Sequence, residues 1–242
     1  MKRIKVILPV STKLFNEIVE KELENFSLDT RISFDIESLP KGPASIECEY
    51  DVAVAAPYII EVAEKAEKDG FDGVVIYCFD DPAVNACKER LNIPVIGAGQ
   101  AGVLYGNLLG KSYSVLMTVE NALMVTREMI ETNKLSSGLA SIRVTNIPVV
   151  ELGQDDSLFD TLLKTAKEAI ENDNAEVLVL GCTGMMGIAE RLQSEISNMM
   201  GRYIPVVSPG AAALHLMQTM ILLGYKQSKL SFMMPPEKER RK

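Results

Sequence analysis

The chain has 242 residues, a formal charge of −8, 47% hydrophobic residues and 24% charged ones. Those proportions exclude a disordered or fibrous chain, and the length suits one large α/β domain or two small ones. The acidic balance excludes the basic face a nucleic-acid binder needs, and no apolar run approaches the roughly 18 residues of a membrane span.

The opening MKRIKVILPVS has a short apolar run that contains Pro9 and leads directly into acidic helical sequence, so it reads as a first strand rather than a leader peptide. The expected compartment is the cytoplasm. Ile4 to Leu8 is that strand. Apolar residues at Leu14, Phe15, Ile18, Val19, Leu23 and Phe26 predict a helix over Lys13 to Phe26. Ile32 to Ser38 alternates as a half-buried strand, Pro40 to Pro43 is a loop, and Ser45 to Gly70 is helical with an expected interruption near Pro57. Gly73 to Tyr77 is a continuous apolar run, as in a buried parallel strand. Asp80-Asp81-Pro82 reads as a helix start, the helix running to about Leu91.

Asn92 to Ile96 is the next strand, followed by a helix after Gly97-Ala98-Gly99-Gln100. Ser114 to Met117 is a strand, Glu120 to Asn133 a helix, Ser141 to Pro148 a strand and Asp156 to Asn172 a helix. Glu176 to Leu180 is a buried strand, Gly181 to Gly184 a turn into a helix ending at Met200, Ile204 to Val207 the last strand, and Pro209 to Leu223 the last helix. The charged tail from Pro235 to Lys242 is expected to fray. Alternation of strands and helices throughout predicts parallel α/β sheets.

The pattern repeats. Gly73-Val-Val-Ile-Tyr-Cys78 matches Val177-Leu-Val-Leu-Gly-Cys182, each followed by a helical Glu-Arg-Leu step, then Ile93-Pro94-Val95 or Ile204-Pro205-Val206, then small residues and a helix. This predicts two similar Rossmann-like halves about a pseudo-twofold axis with the active site between them: residues 1–98, completed by the C-terminal helix of 208–242, and residues 99–207. Ligands in such sheets lie at the carboxyl ends of strands. Cys78 and Cys182 occupy that end of equivalent strands. Each precedes a helix start, which is expected to draw its thiol pKa down toward neutrality. Two sulfurs aimed at one carbon from opposite faces suit proton removal on one side and return on the other, with inversion. Either cysteine alone reads more simply as a small apolar filler, and only their equivalent placement in the repeat brings the catalytic reading level with that one. Cys48 and Cys87 have no repeat partner and read as packing residues within helices. No C-x-x-C pair is present, so a structural zinc site is not expected. The lone histidine, His215, sits in an apolar helix as a structural residue.

On these residues the chain resembles the aspartate/glutamate/hydantoin racemase superfamily, and within it the hydantoin and allantoin racemase branch. Gly42-Pro43-Ala44-Ser45-Ile46-Glu47, Cys78-Phe79-Asp80-Asp81-Pro82, Pro94-Val95-Ile96-Gly97 and Leu180-Gly181-Cys182-Thr183-Gly184-Met185 carry the likeness. The resemblance implies a racemase needing neither pyridoxal phosphate nor metal, with Cys78 and Cys182 as its catalytic pair. Cys-Phe-Asp and Gly-Cys-Thr-Gly match the hydantoin branch rather than the Cys-Asn-Thr and Gly-Cys-Thr-His of amino-acid racemases. Where that branch commonly carries Asn-Pro-Asn-Thr, this chain has Leu8-Pro9-Val10-Ser11, which predicts a less polar end of the pocket.

Ser11, Ser45, Thr118 and Val119 are candidate substrate contacts, with helix capping the competing reading for the hydroxyls near the strand ends. Phe79, Asp80, Thr183 and Gly184 are candidates to offer backbone N–H groups to an enolate; capping alone also explains Asp80 and Asp81. Gly97 to Gly102 matches G-x-G-x-x-G, yet reads more simply as a small-residue strand end like Pro209-Gly210-Ala211. The expected substrate is a 5-substituted hydantoin or related cyclic ureide. An amino-acid racemase, a maleate-type isomerase and a non-catalytic small-molecule binder remain the alternatives, while two cysteines disfavour an arylmalonate-type decarboxylase. No cofactor, nucleic-acid or membrane partner is expected, and self-association is.

Overall fold

The computed structural model describes residues 1–25, 29–147, 156–185 and 187–238. In chain order the elements are β1 (Lys2–Leu8), α1 (Asn16–Asn25), β2 (Ile32–Ser38), α2 (Glu49–Lys68), β3 (Gly73–Ile76), α3 (Val84–Arg90), β4 (Val95–Gly97) and α4 (Ala98–Leu109). There follow β5 (Tyr113–Met117), a 3-10 turn, α5 (Leu123–Thr132), a second 3-10 turn, β6 (Leu139–Val144), α6 (Asp156–Asp173), β7 (Val177–Leu180), α7 (Ile188–Met200), β8 (Val206–Val207) and α8 (Pro209–Leu223).

The strands form two parallel four-stranded sheets, ordered β2-β1-β3-β4 and β6-β5-β7-β8. The second order repeats the first, so the duplication read in the sequence is a duplication of topology. The helices tie the halves together reciprocally. α4, which follows β4 of the first sheet, packs on β7 and β8 of the second; α8, which follows β8, packs on β3 and β4 of the first; and α4 and α8 pack on each other. Small residues permit that approach: a Cβ on Gly102 would sit 3.0 Å from Pro209, and one on Gly73 would sit 2.5 Å from Met217.

Both faces of the central strands are covered, which explains their unbroken apolar runs. Val177 and Val179 point into the core shared with the first sheet, while Leu178 and Leu180 point to a second core against Phe159, Leu162 and Ala166 of α6 and Leu192 and Ile196 of α7. Beyond α8, Gln227 donates to the carbonyls of Lys88, Leu91 and Ile93, and Lys229 to those of Lys88, Glu89 and Leu91. The segment therefore straps the end of α3. No helix among the described residues is long and apolar enough to cross a membrane.

Several local bounds change: α1 begins at Asn16, β4 at Val95, β6 at Leu139 and β8 at Val206, and α2 and α3 depart further. α2 begins at Glu49 rather than Ser45 and runs through Pro57 without interruption. The helix loses one backbone bond there, offset by burial of Ala55, Ile59, Val62, Ala63 and Ala66 along one face. α3 begins at Val84, not at Asp81-Pro82. Asp81 instead adopts φ 50 and turns its carboxylate to the N-terminus of α4, accepting from the N–H groups of Gly99 and Gln100 at 2.8 Å each. Asp81 thus caps a helix, but a different one from the helix it precedes. The expected ends at Phe26 and Pro148, and the tail from residue 239, lie outside the described residues.

Candidate active site

β3 and β7 end side by side at the junction of the halves, and Cys78 and Cys182 follow them. Both line one cavity of about 620 Å³, counting its open mouth. Thr183, the residue after the second cysteine, donates its hydroxyl to the Tyr77 carbonyl before the first at 3.3 Å, joining the two strand ends. α3 and α7 start only at Val84 and Ile188, the same distance beyond each cysteine. The two thiols are near enough that charge on Cys182 acts on Cys78.

The Cys182 sulfur receives the backbone N–H of Gly184 at 3.3 Å, while the Asp80 N–H, two residues beyond Cys78, opposes the rise in that thiol's pKa. The Gly184 N–H is therefore turned to a sulfur rather than left for an enolate. Phe79 and Thr183 hold the equivalent places between them, and neither N–H has an acceptor among the described residues.

The thiols are not drawn toward neutrality as expected. Burial pushes Cys78 well above its ordinary pKa, with the Asp80 charge adding to the effect, and pushes Cys182 up to about 12. Each cysteine is partly exposed and lines the cavity. The helix termini lie too far along the chain to compensate, because the dipole effect fades within the first turn. Cys87 is fully buried in the core and likewise raised to about 12. Cys48 sits at the N-cap of α2 rather than inside a helix, its thiol 3.3 Å from Asp51.

Of the other expected contacts, Ser45, Phe79, Asp80, Thr118, Thr183 and Gly184 line the cavity, whereas Ser11 and Val119 do not. The Ser11 hydroxyl is spent on the carbonyls of Gly42 and Pro43, at 3.0 and 3.2 Å, and so anchors the loop that delivers Ser45. Val119 begins a 3-10 turn and packs against the core. Leu8, Pro9 and Val10 do form an apolar wall, joined by Phe15, Val19, Ile46, Met117 and Ala122. Phe15 immediately precedes α1, and Val19, four residues on, donates its N–H to the Phe15 carbonyl at 2.9 Å. Their spacing was legible as a helix, but nothing local distinguished a cavity wall from core.

The G-x-G-x-x-G stretch is explained by packing. A Cβ on Gly97 would meet the Asp81 carboxylate at 2.0 Å, and one on Gly99 would meet the Phe79 carbonyl oxygen at 1.8 Å. The helix N-terminus where a phosphate would sit already holds Asp81. His215 is not among the cavity residues.

Asp80 is 8% exposed and lines the cavity. Its Oδ1 accepts from the Thr126 hydroxyl at 2.9 Å. Burial pushes its pKa up to about 7, opposed by the Thr126 bond and reinforced by Glu49. No lysine, arginine or histidine is among the cavity residues.

Residues 4–217 match the family model described as Asp/Glu/Hydantoin racemase. The chain belongs to that family. It is 33% identical over 240 residues to a hydantoin racemase of Paenarthrobacter aurescens, covering 98% of this chain and 99% of that one. It is 31% identical over 240 residues to a hydantoin racemase of Pseudomonas sp. (strain NS671), covering 98% and 93%. An allantoin racemase from Klebsiella pneumoniae shares the fold with a TM-score of 0.91 at 24% identity, over 100% of this chain and 97% of that one. This Asp/Glu/Hydantoin racemase family member is accordingly an isomerase, and its fold is the two-sheet α/β fold of the racemases.

Proposed function

We propose that the chain racemises 5-substituted hydantoins or related cyclic ureides without a cofactor, using Cys78 and Cys182 as its acid/base pair. The observation that carries this reading is the placement of two thiols, at equivalent strand ends of the two halves, on one cavity. One thiolate takes the C5 proton, and the electron pair of that C–H bond moves into the adjacent carbonyl as an enolate. The opposite thiol protonates C5 from the other face, leaving a thiol where the base was and a thiolate where the acid was. Either cysteine starts the reaction, according to which enantiomer arrives. Phe79 and Thr183 N–H groups are available to the enolate oxygen.

The lining supports this substrate class. A neutral ring needs no cation, and none lines the cavity. An amino-acid carboxylate would enter without a counter-charge and beside Asp80. The ring also forms its enolate without building a dianion, which suits weakly acidic thiols as catalysts. The apolar wall from Leu8 to Val10 and from Phe15 to Val19 fits an apolar or aromatic 5-substituent. The names of the relatives at 31–33% identity point the same way. Circular dichroism or polarimetry on single enantiomers of 5-benzylhydantoin, allantoin and aspartate, with EDTA present, tests this. The expected order of kcat/KM puts 5-benzylhydantoin first. A tenfold advantage for allantoin or aspartate, about 1.4 kcal/mol of transition-state binding, overturns the substrate reading. Activity abolished by chelation and restored by a metal overturns the cofactor-independent one.

A further inference from the structure

The two halves meet the cavity with near-equivalent elements, but one position breaks the equivalence. Two residues after Cys78 stands Asp80; two residues after Cys182 stands Gly184. The Asp80 N–H acts on the Cys78 thiol, and the Gly184 N–H reaches the Cys182 sulfur at 3.3 Å. Only the first adds a side chain, and that side chain is a carboxyl withdrawn from water. Its Oδ1 is engaged by Thr126 at 2.9 Å, Thr126 itself being fully buried. Its Oδ2 has no hydrogen-bond donor among the described residues, and no cation lines the cavity to neutralise it. Asp80 is only 8% exposed, and a carboxylate this far withdrawn from water is costly until a second donor completes it.

We infer that Asp80 is the specificity-determining acceptor for a ring N–H of the substrate, so that the site selects cyclic ureides by an N–H donor and rejects carboxylates by the same oxygen. The inference rests on the racemase reading above for the ring's presence and names which residue reads it. A cyclic ureide carries an N–H on the atom bonded to its reacting carbon and a second between its two carbonyls. Either donor completes Oδ2, and Thr126 holds the carboxyl so that Oδ2 is the free oxygen. One anchor on one side also fixes the ring in a single orientation between the thiols. Both enantiomers are then held by the same ring contact and differ in which sulfur meets the C5 proton.

Replacing Asp80 by Asn keeps the volume and an oxygen for Thr126. With that oxygen engaged, the amide NH2 takes the place of Oδ2, and the ring donor meets a donor instead of an acceptor. Isothermal titration of the full-length protein and of Asp80→Asn with 5-benzylhydantoin and its N1-methyl and N3-methyl derivatives reads the contact directly. The expected result is that one of the two N-methyl derivatives binds the unaltered protein at least tenfold more weakly than the parent. In Asp80→Asn the parent should weaken by a similar factor and that difference should shrink to within about twofold. A steric clash of the methyl group would persist in the variant, so discrimination kept in Asp80→Asn overturns the inference. Equal binding of all three ligands by the unaltered protein overturns it without any variant. Discriminating binding without turnover upholds the Asp80 contact and sinks the racemase reading. Turnover without discrimination does the reverse, and failure of all three to bind overturns both.

Discussion

Asp80 predicts a measurable conflict between stability and function. Its pKa is pushed from the ordinary 3.8 to about 7, first by burial, with Glu49 adding to it and the Thr126 hydroxyl opposing it. A carboxyl whose folded pKa lies above its unfolded one binds its proton more tightly in the folded state. The associated stability is fully present below about pH 4 and is lost as pH rises through about 7. At about 1.4 kcal/mol per pH unit, the difference corresponds to about 4 kcal/mol forfeited at pH 8 for this one side chain. Asp80→Asn resembles the protonated carboxyl, still accepts from Thr126 and never ionises. It should match the unaltered protein near pH 4 and exceed it by up to about 4 kcal/mol near pH 8. Asp81, also raised to about 7 mainly by burial, remains in the variant. The stability of the variant should therefore still fall with pH, with one carboxyl contributing instead of two. Urea unfolding at about pH 4, 6 and 8 on both proteins measures this. Parallel profiles, or a variant less stable than its parent at pH 8, would refute the reasoning.

Other expectations follow from the cavity and its supports. The thiols are raised, so the thiolate fraction and log kcat/KM should climb with a slope near +1 from about pH 7 to 9; a maximum on the acid side would contradict the direction for Cys78 and Cys182. Gly99→Ala should destabilise by about 2–4 kcal/mol, although alanine is the better helix former, because its Cβ would sit 1.8 Å from the Phe79 carbonyl oxygen. Thermal unfolding checks the sign, and a gain in Tm refutes it. Phe15→Ala should lower kcat/KM for 5-benzylhydantoin relative to 5-methylhydantoin by about tenfold or more, since loss of an aromatic wall removes roughly 1.5–3 kcal/mol of apolar burial. Unchanged relative rates would remove Phe15 from the substituent pocket.

The sequence carried the large features because they depend on local pattern. Unbroken apolar runs at Gly73–Tyr77 and Glu176–Leu180 marked strands covered on both faces, and Pro209–Leu223 was readable to the residue from proline at its start and glycine after its end. What escaped depends on partners distant in the chain. Asp81 looked like the cap of the helix beside it, and only the folded structure brings the N–H groups of Gly99 and Gln100 to its carboxylate. Pro57 looked like a break, but the packed face of α2 holds the helix through it. The thiol pKa values followed burial in a cavity shared by two halves, a property no short window of sequence contains. Ser11 had the chemistry of a ligand contact and spends it on the loop that carries Ser45. The two cysteines were legible through the repeat, because equivalence between halves survives where local context is ambiguous.

The division of labour between Cys78 and Cys182 is tested most directly by α-proton exchange in deuterated water with single enantiomers of 5-benzylhydantoin. Each of Cys78→Ser and Cys182→Ser should lose racemisation by orders of magnitude, because inversion needs both groups. Cys78→Ser should retain exchange of one enantiomer, Cys182→Ser that of the other. Racemisation at the unaltered rate in either variant, or loss of exchange for the same enantiomer in both, would contradict the two-base account.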